Sequence, residues 1–250
     1  MAAIALFTMS SCSSDDAAPS NPNVNPVGEI ILPRKIIETI PLIGSNTTIY
    51  NYDSQNRLIS FATKTGVITT TVTYTNGLIT SMTSKDLEGN WMEPSTYTYD
   101  NNNRLSAYQS YTPSIFGFPE SVDRFEYTYN DNGTITEKWY TGENEPTELN
   151  KTSIFTLSEG NIIQAVETDA MGNYTTTYSY DTKNNPYKNI PGYDKIVLLS
   201  IRQGTNNVLS ETIGASNTTT TYTYNENNYP LTSASIRNGE AATSMQYFYE

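Results

Sequence analysis

Histidine is absent from this chain of 250 residues, and cysteine occurs once, at Cys12. Histidine is the side chain whose ordinary pKa suits general acid–base work near neutral pH, so the commonest catalytic group is missing. The chain has 14 Lys and Arg against 26 Asp and Glu, a net charge of −12. Nucleic acids and anionic lipid surfaces need clustered basic residues, and we expect neither as the main partner. No apolar run reaches the roughly 18 residues of a membrane-spanning helix.

Tyrosine is abundant, with 20 residues, and much of it stands in pairs spaced two apart. Alternate residues of a strand point to the same face of a sheet, so each pair predicts a strand with both rings on one face. Asp or Asn follows each full pair and favours a turn, because its side chain bonds the nearby backbone. The full pairs begin at Tyr50, Tyr97, Tyr127, Tyr178 and Tyr222, with weaker copies at Val72 and Phe155 and a terminal copy at Tyr247. Asn-Gly at 76, 132 and 238 is a strong hairpin signal.

These units recur at intervals of roughly 22 to 30 residues, except for 44 residues between Tyr180 and Tyr224. The spacing predicts an array of hairpin repeats with one insertion, and about 15 strands between Arg34 and Tyr249. Sheets of more than about ten strands curl, close or split into two layers. We therefore expect an all-β fold: a single long antiparallel meander, strongly twisted and curled around a Tyr, Leu and Ile face.

The insertion lies near residues 186–200 and is punctuated by Pro186 and Pro191. Asp194 is suited to cap a short helix through Leu199, and such a helix would plug one open end of the curled sheet. A long loop with one helical turn fits the same residues equally well.

The first residues resemble a targeting signal. A short apolar run, Ala2 to Met9, precedes Ser10-Ser11-Cys12 and resembles a lipoprotein signal segment, residues 1–12, in which Cys12 is lipidated. Residues 13–33 are rich in Pro, Asn and Ser and predict a disordered tether, which leaves 34–250 as the folded domain. Ser13 to Asp16 resembles the surface-export signal of Bacteroidota lipoproteins. We expect an outer-membrane lipoprotein that faces the cell surface, with the periplasmic face as the alternative, and contact with the membrane only through the lipid.

The units Tyr52-Asp53 with Arg57-Leu58 and Tyr99-Asp100 with Arg104-Leu105 resemble the YD repeats of the Rhs family. As a whole, the chain is similar to Bacteroidota envelope lipoproteins built on a YD-like domain of unknown function. Asn56 and Asn103 stand where those repeats usually have glycine, and Arg is absent from several units. The resemblance covers most of residues 34–250. It implies an antiparallel β-sheet fold and brings no established activity.

Sites for catalysis and metal binding find little support. The carboxylate pairs Glu143/Glu145 and Glu120/Asp123 fall in loops, whereas glycoside hydrolysis needs two carboxylates placed across a cleft. The Asp- and Asn-rich turns offer the oxygen ligands that calcium prefers, but turn formation already accounts for those residues. We expect no enzyme, no cofactor and no metal.

Aromatic residues outside the repeat pattern are the candidates for ligand binding, because aromatic rings stack on sugars and exposed apolar groups mark contact sites. Internal loop packing is the alternative for these residues. The candidates are Trp91, Tyr111, Phe116, Phe118 and Trp139.

The face opposite the tyrosines consists of Thr, Ser and Asn, as in Thr175 to Thr177. Such a face is suited to contact with water and lacks the apolar belt of a membrane-spanning barrel. The leading hypothesis is therefore a lipid-anchored, non-catalytic protein that recognises a glycan or another surface polymer. The alternative is a structural or assembly subunit that docks other envelope proteins by a strand edge or by the 186–200 insertion.

Overall fold

The computed structural model describes residues 30–63, 69–85, 88–90, 92, 94–112, 120–143, 145–200, 202 and 204–250. The predicted signal segment and most of the predicted tether lie outside these residues. The described elements are β1 (Pro33–Ile40), β2 (Gly44–Tyr52), β3 (Leu58–Thr63), β4 (Thr69–Thr75), β5 (Leu78–Ser84), β6 (Ser95–Tyr99), β7 (Leu105–Thr112), β8 (Ser121–Tyr129), β9 (Ile135–Gly142), β10 (Glu148–Ser158), β11 (Asn161–Asp169), β12 (Gly172–Tyr180), α1 (Asp194–Ser200), β13 (Val208–Ile213), β14 (Ser216–Tyr224), β15 (Pro230–Arg237) and β16 (Glu240–Tyr249).

The strands form a closed barrel in which every strand pairs with its neighbours in the chain and β1 pairs antiparallel with β16. Ile36 lies opposite Tyr247 on one side and Thr48 on the other. The predicted antiparallel meander is confirmed, with 16 described strands against the expected 15. The strand pattern did not predict whether the sheet closes, and the structure shows that it does. Because each described strand is bonded on both sides, docking by a free strand edge is wrong, since a closed barrel has no edge to offer.

The inside of the barrel carries most of the buried apolar residues, and the outside is rich in threonine and serine but also carries the exposed Ile49, Ile154 and Phe248. Leu58, Leu105 and Phe155 have no exposed surface, and the repeat tyrosines pack around them. Thr175 and Thr177 alternate with the buried Thr176 and therefore point outward. The core also extends before the predicted domain boundary at residue 34, because Leu32 is buried against Leu58.

The two ends of the barrel differ. One end carries the turns after the tyrosine pairs, the beginning of β1, the end of β16 and the insertion between β12 and β13; we call it the plugged end. The other carries the alternate turns and is the open end. The chain enters and leaves at the plugged end, where Leu32 and Glu250 exchange backbone hydrogen bonds.

The insertion, residues 181–207, is the plug. Its helix α1 begins at Asp194 as predicted, and Ile196 and Leu199 pack into the main core beside Leu105 and Phe155. Ile190 fills a second core cluster with Leu32 and Leu58. The apolar side chains of the 186–200 insertion are buried inside the barrel, so docking by this insertion stays a prediction that concerns only its exposed residues, such as Lys188 and Lys195. Among the described residues, no helix is long and apolar enough to cross a membrane.

Many of the repeat tyrosines donate hydrogen bonds to backbone carbonyls that lie next to β-bulges of the barrel. Most strands that start at the plugged end carry a bulge just after their first or second residue, as after Leu105 on β7 and after Ile79 on β5, and a bulge disturbs the ladder of backbone hydrogen bonds. In five units the tyrosine hydroxyl of the next unit donates to the carbonyl of the residue just before the bulge. The pairs are Tyr52 with Pro33, Tyr99 with Ile79, Tyr129 with Leu105, Tyr180 with Ile162 and Tyr249 with Pro230, at 2.6–3.0 Å.

In two further units the tyrosine is present but this bond is not made: Tyr224 donates to Asp181, and the buried Tyr74 hydroxyl donates to no carbonyl among the described residues. One unit lacks both the bulge and the tyrosine. The pairing of β8 with β9 has no bulge at Ile135. The unit that follows carries Leu157, which has no hydroxyl, in place of the second tyrosine. The tyrosine is thus present where a bulge precedes it and absent where the ladder is regular.

The Asp-to-Arg spacing of the best repeats builds a turn. The Asp100 carboxylate accepts the backbone N–H groups of Asn102 and Arg104 and the Arg104 Nε–H, the last at 2.8 Å. Hydrogen bonds from Arg104, partly offset by burial, lower the pKa of Asp100. Asn103 sits at φ 57°, a conformation that asparagine tolerates better than most residues. That tolerance explains why asparagine can occupy this position of the turn.

Candidate functional site: the open lumen

A charged cluster forms the floor of the lumen above the plug. Arg202 follows α1, and its guanidinium lies 5.2 Å from the centre of the Phe155 ring. Arg202 Nη2 is 2.9 Å from Glu167 Oε1 and 3.5 Å from Glu137 Oε1. Lys151 Nζ lies 2.6 Å from the same Glu167 oxygen, and Ser153 Oγ donates to Glu137. Two cations and two carboxylates thus meet on the inner wall of β9, β10 and β11.

The pKa values of the two carboxylates are shifted in opposite directions. Burial raises the pKa of Glu137, and the nearby Arg202 offsets this only in part. Burial also acts to raise the pKa of Glu167, but hydrogen bonds from Lys151 and Arg202 outweigh it, and the pKa of Glu167 is lowered. Glu167 is therefore the fixed partner of both cations.

An aromatic ladder runs across the inner wall beside this cluster. Tyr97, Tyr108, Phe125 and Trp139 occupy directly opposed positions on β6, β7, β8 and β9. Their rings stack at centroid distances of 5.0, 5.6 and 5.7 Å, with interplanar angles of 17–20°. The Trp139 indole N–H donates to Asp123, and Lys151 Nζ lies 5.5 Å from the Trp139 ring. Opposed side chains at this spacing interact directly, so the rings present one continuous aromatic strip.

The opposite wall holds a slot beside the plug. A cavity of about 440 Å³ is lined by four charged residues, Glu38, Arg202, Glu211 and Arg237. The rest of its lining is rich in hydroxyl groups, from Thr218, Thr220, Ser233, Ser235 and Thr243. A second cavity of about 180 Å³ shares Thr220, Ser233 and Ser235 and reaches the plug. We call the two cavities together the slot.

The floor of the slot is polar and aromatic. It is formed by Asn185, Pro186 and Tyr187 of the plug together with Tyr222 and Tyr247 of the wall. Tyr187 is held by its neighbours, because its hydroxyl lies 3.3 Å from the Tyr50 hydroxyl. Burial raises the pKa of Tyr187 well above its ordinary value, so this phenol is a neutral hydrogen-bonding group.

The aromatic residues singled out from the sequence fall in different places. Trp139 lies on the inner wall, as the fourth ring of the ladder. Tyr111 is an odd number of positions from the inward Tyr108 on β7, so it lies on the outer face, and its hydroxyl donates to Glu120. Trp91, Phe116 and Phe118 lie outside the described residues, as does Cys12.

Sequence reasoning missed most of the lumen residues. Tyr97 and Tyr108 were counted as repeat residues, and Phe125 was not singled out. The charged cluster did leave a signal: Glu137, Ser153 and Glu167 each stand two positions from a buried apolar residue, at Ile135, Phe155 and Ala165. A polar residue on the inward side of a strand is the pattern that would have pointed to them.

Together these features define a plugged β-barrel with a polar and aromatic open lumen. No protein-family model matches the chain, and no curated protein matches it. The structure is similar to that of a porin-like protein from Bacteroides vulgatus, with a TM-score of 0.60 over 88% of this chain and 98% of that chain at 13% sequence identity. It is also similar to that of a porin-like protein from Bacteroides uniformis, with a TM-score of 0.55 over 88% and 96% at 18% identity. At these identities the likeness shows a common fold.

Proposed function

We propose that this protein is a lipid-anchored, non-catalytic component of the cell envelope that binds a glycan in its open lumen. The observation that carries the proposal is the stacked strip from Tyr97 to Trp139, which faces a lumen closed below by the plug. The stacked rings cover one another's faces and turn their apolar edges to the lumen, and a concave site with a few polar groups beside an apolar wall is the usual form of a binding site.

The position of the chain start supports the anchored arrangement. β1 begins at the plugged end, so a tether running from a lipidated Cys12 reaches the barrel there. The open lumen then faces away from the membrane, towards ligands outside the cell if the anchor is on the outer surface. The repeat motifs and the likeness to porin-like proteins from Bacteroides support kinship with Bacteroidota envelope lipoproteins that carry a YD-like domain.

The outer face of the barrel supports contact with water. Positions such as Thr73, Thr177 and Thr221 alternate with inward residues and carry hydroxyls instead of the apolar belt of a membrane-spanning barrel. In the proposed arrangement the lipid is the only contact with the membrane. The net charge of −12 further argues against nucleic acid as a partner.

An envelope protein is the second candidate partner, and one observation favours it. Leu42 and Ile43 at the tip of the β1–β2 turn are fully or largely exposed, and Leu42 adopts φ 67°. Met171 at the β11–β12 turn is 94% exposed. These apolar tips stand on the rim of the open end, where exposed apolar groups mark contact sites.

A binding measurement on the full chain with Cys12→Ser, which prevents lipidation, tests the glycan proposal. The protein is screened by thermal shift against a broad glycan set, and hits are measured by calorimetry. We expect Trp139→Ala to weaken binding by about tenfold or more, because the loss of one large apolar side chain from a binding site costs on the order of 1–3 kcal/mol. Tyr140→Ala is the matched control, because Tyr140 is the next residue along β9 and packs against Arg124 on the outer face.

Three results would count against the proposal. Equal losses in the two variants would mean that the ladder is not the binding surface. No shift with any glycan would leave the envelope-protein candidate, to be pursued by cross-linking in intact cells. Protection of the domain from protease on whole cells would place it on the periplasmic face.

A further inference from the structure

Within the part of the chain that the structure describes, the slot opens towards the lumen. Its sides are the wall of β13, β14, β15, β16 and β1, whose pairings are continuous. Its floor is the Asn185–Tyr187 segment of the plug, where Asn185 and Tyr187 are tied by a hydrogen bond between the Tyr187 N–H and the Asn185 side chain. A ligand therefore enters along the barrel axis from the open end and stops at the plug.

The lining of the slot selects for a particular chemistry. Hydroxyl groups from threonine and serine line the slot, whereas the amides of Asn206 and Asn207 near the floor are bonded within the protein. Hydroxyls both donate and accept hydrogen bonds, which suits a ligand whose own groups do both. Tyr222 and Tyr247 supply aromatic surface at the same depth. This combination of many two-way hydrogen-bonding groups and ring faces fits a carbohydrate.

The charges of the slot and the lumen disfavour an anionic ligand. Glu38 and Glu211 face Arg202 and Arg237 around the slot, and Arg202 is already held by Glu167 and Glu137. On the rest of the described inner wall, Asp123 adds a carboxylate beside Trp139, and the one further cation, Lys151, is paired with Glu167. Like charges brought together in a partly enclosed space repel strongly, so uronic acids and sulfated sugars are poor candidates.

We infer, building on the proposed function, that the slot binds the end of a non-anionic carbohydrate chain, inserted end-on with its terminal unit towards Tyr187. A chain bound by its internal units would need to cross the site and leave again, and the closed wall gives it no second opening. The aromatic ladder, on the opposite wall of the same lumen, contacts the units that follow the terminal one.

Stoichiometry distinguishes end-on from lateral binding. The full-length Cys12→Ser protein is titrated by calorimetry with hexasaccharides and polymers of the neutral glycans amylose, laminarin, xylan and mannan, and with polygalacturonate and heparin. For a glycan that binds, we expect the number of proteins bound per chain to stay constant as chain length rises. A count that rises in proportion to length overturns end-on insertion, and preferential binding of polygalacturonate or heparin overturns the charge argument.

Filling the slot tests its location. Ser235→Phe places a ring in the middle of the slot, and Ala234→Phe places the same ring on the outer face of β15, where Ala234 is exposed. We expect Ser235→Phe to weaken binding of the responding glycan by about tenfold or more and Ala234→Phe to leave it unchanged. Ser235→Leu serves the same purpose with a smaller side chain if Ser235→Phe does not fold.

The outcomes separate the two proposals. If Trp139→Ala abolishes binding while Ser235→Phe and Ser235→Leu bind normally, glycan recognition stands and the slot is wrong. If Ser235→Phe or the folded Ser235→Leu abolishes binding at constant stoichiometry per chain, the slot is the site. If the unsubstituted protein binds none of the glycans, the proposed function itself fails, and the slot proposal fails with it.

Discussion

At the scale of single residues, the tyrosines of the repeat have a role that phenylalanine cannot take. The rings fill the core, as the alternation of the strands predicts, but the hydroxyls also satisfy carbonyl groups next to bulges. Burial raises the pKa of Tyr129 to about 12, so the hydroxyl keeps its proton and donates to Leu105 at 3.0 Å. The sequence shows where these residues lie, but their acceptors belong to the preceding unit of the array and appear only in the folded barrel.

Tyr99→Phe tests this role. The substitution removes the donor to the Ile79 carbonyl, 2.6 Å away, and leaves a buried acceptor unsatisfied, which costs about 1–3 kcal/mol. Tyr97→Phe is the control on the same strand, because the Tyr97 hydroxyl has only a sulfur partner, Met82 Sδ at 3.5 Å. Urea unfolding should show a larger loss for Tyr99→Phe. Equal losses would mean that the hydroxyls of the repeat serve no specific acceptor.

The charged floor of the lumen gives a prediction about pH. Glu167→Gln removes the carboxylate that holds Lys151 and Arg202, and we expect it to lower the free energy of unfolding at pH 7 by on the order of 3 kcal/mol. The pKa of Glu167 is lowered by folding, so its stabilising effect is present above its ordinary pKa of 4.5 and is lost as the pH falls below it. The difference between the two proteins should therefore shrink below pH 4.5.

Glu137→Gln is the comparison for this cluster. Folding raises the pKa of Glu137, so its contribution to stability is present below its ordinary pKa and is lost as the pH rises through the raised value. Removing its charge should therefore cost less at pH 7 than removing that of Glu167. Chemical denaturation at several pH values measures both, and a larger cost for Glu137→Gln at pH 7 would contradict the assignment of Glu167 as the main partner.

At the scale of elements, the hairpins were predictable and the insertion was only partly so. Strand and turn signals are local: the tyrosine period, the Asn-Gly turns and the Asp100-to-Arg104 turn all arise within a few residues. The start of α1 at Asp194 was also readable from its capping residue. The packing position of the insertion could not be predicted from the sequence, because its short apolar run suits a loop or a helix equally. Its position is determined by contact with Ile79, Leu105 and Phe155.

Gly192 tests the docking of the plug. It adopts φ 75°, and a Cβ there would lie 3.0 Å from the Gly77 carbonyl oxygen in the β4–β5 turn and 3.5 Å from the Ile79 nitrogen. Gly214 adopts φ 56° with nothing within 4 Å of its added Cβ. Gly214→Ala should therefore cost only the backbone strain, about 1–2 kcal/mol, and Gly192→Ala should cost a further 1–3 kcal/mol or so from overpacking. Thermal and urea unfolding measure the difference, and equal costs would show that the plug yields freely at this contact.

At the scale of the whole molecule, closure decides what the protein presents to its surroundings. An open curled sheet would offer two edges to partner strands, whereas the closed barrel presents only its outer hydroxyl face, its turns and its lumen. A barrel of 16 strands is wide enough to leave space inside its wall, and here the plug fills one half of it. Binding is thereby directed to the open half.

Engineered disulfides test closure directly. In a Cys12→Ser background, Ile37→Cys with Gln246→Cys joins two residues that face each other across β1 and β16, and we expect this pair to oxidise readily. The control, Ile37→Cys with Thr223→Cys, spans three strand spacings, from β1 to β14, or about 14 Å, which is beyond the reach of a disulfide. Thiol titration and non-reducing electrophoresis report the result. A failure of the first pair to oxidise would indicate an open sheet.

The sequence by itself determined the strands, their inward tyrosine face, the hairpin order and the position of the insertion, because these follow from local turn chemistry and a two-residue period. Only the tertiary structure decided that β1 meets β16, that the insertion fills one end, and that Trp139 joins three rings from neighbouring strands. Those features depend on register and curvature summed over the whole array. A shift of one residue in register would turn every side chain of a strand to the opposite face, and no local pattern carries that information across 200 residues or more.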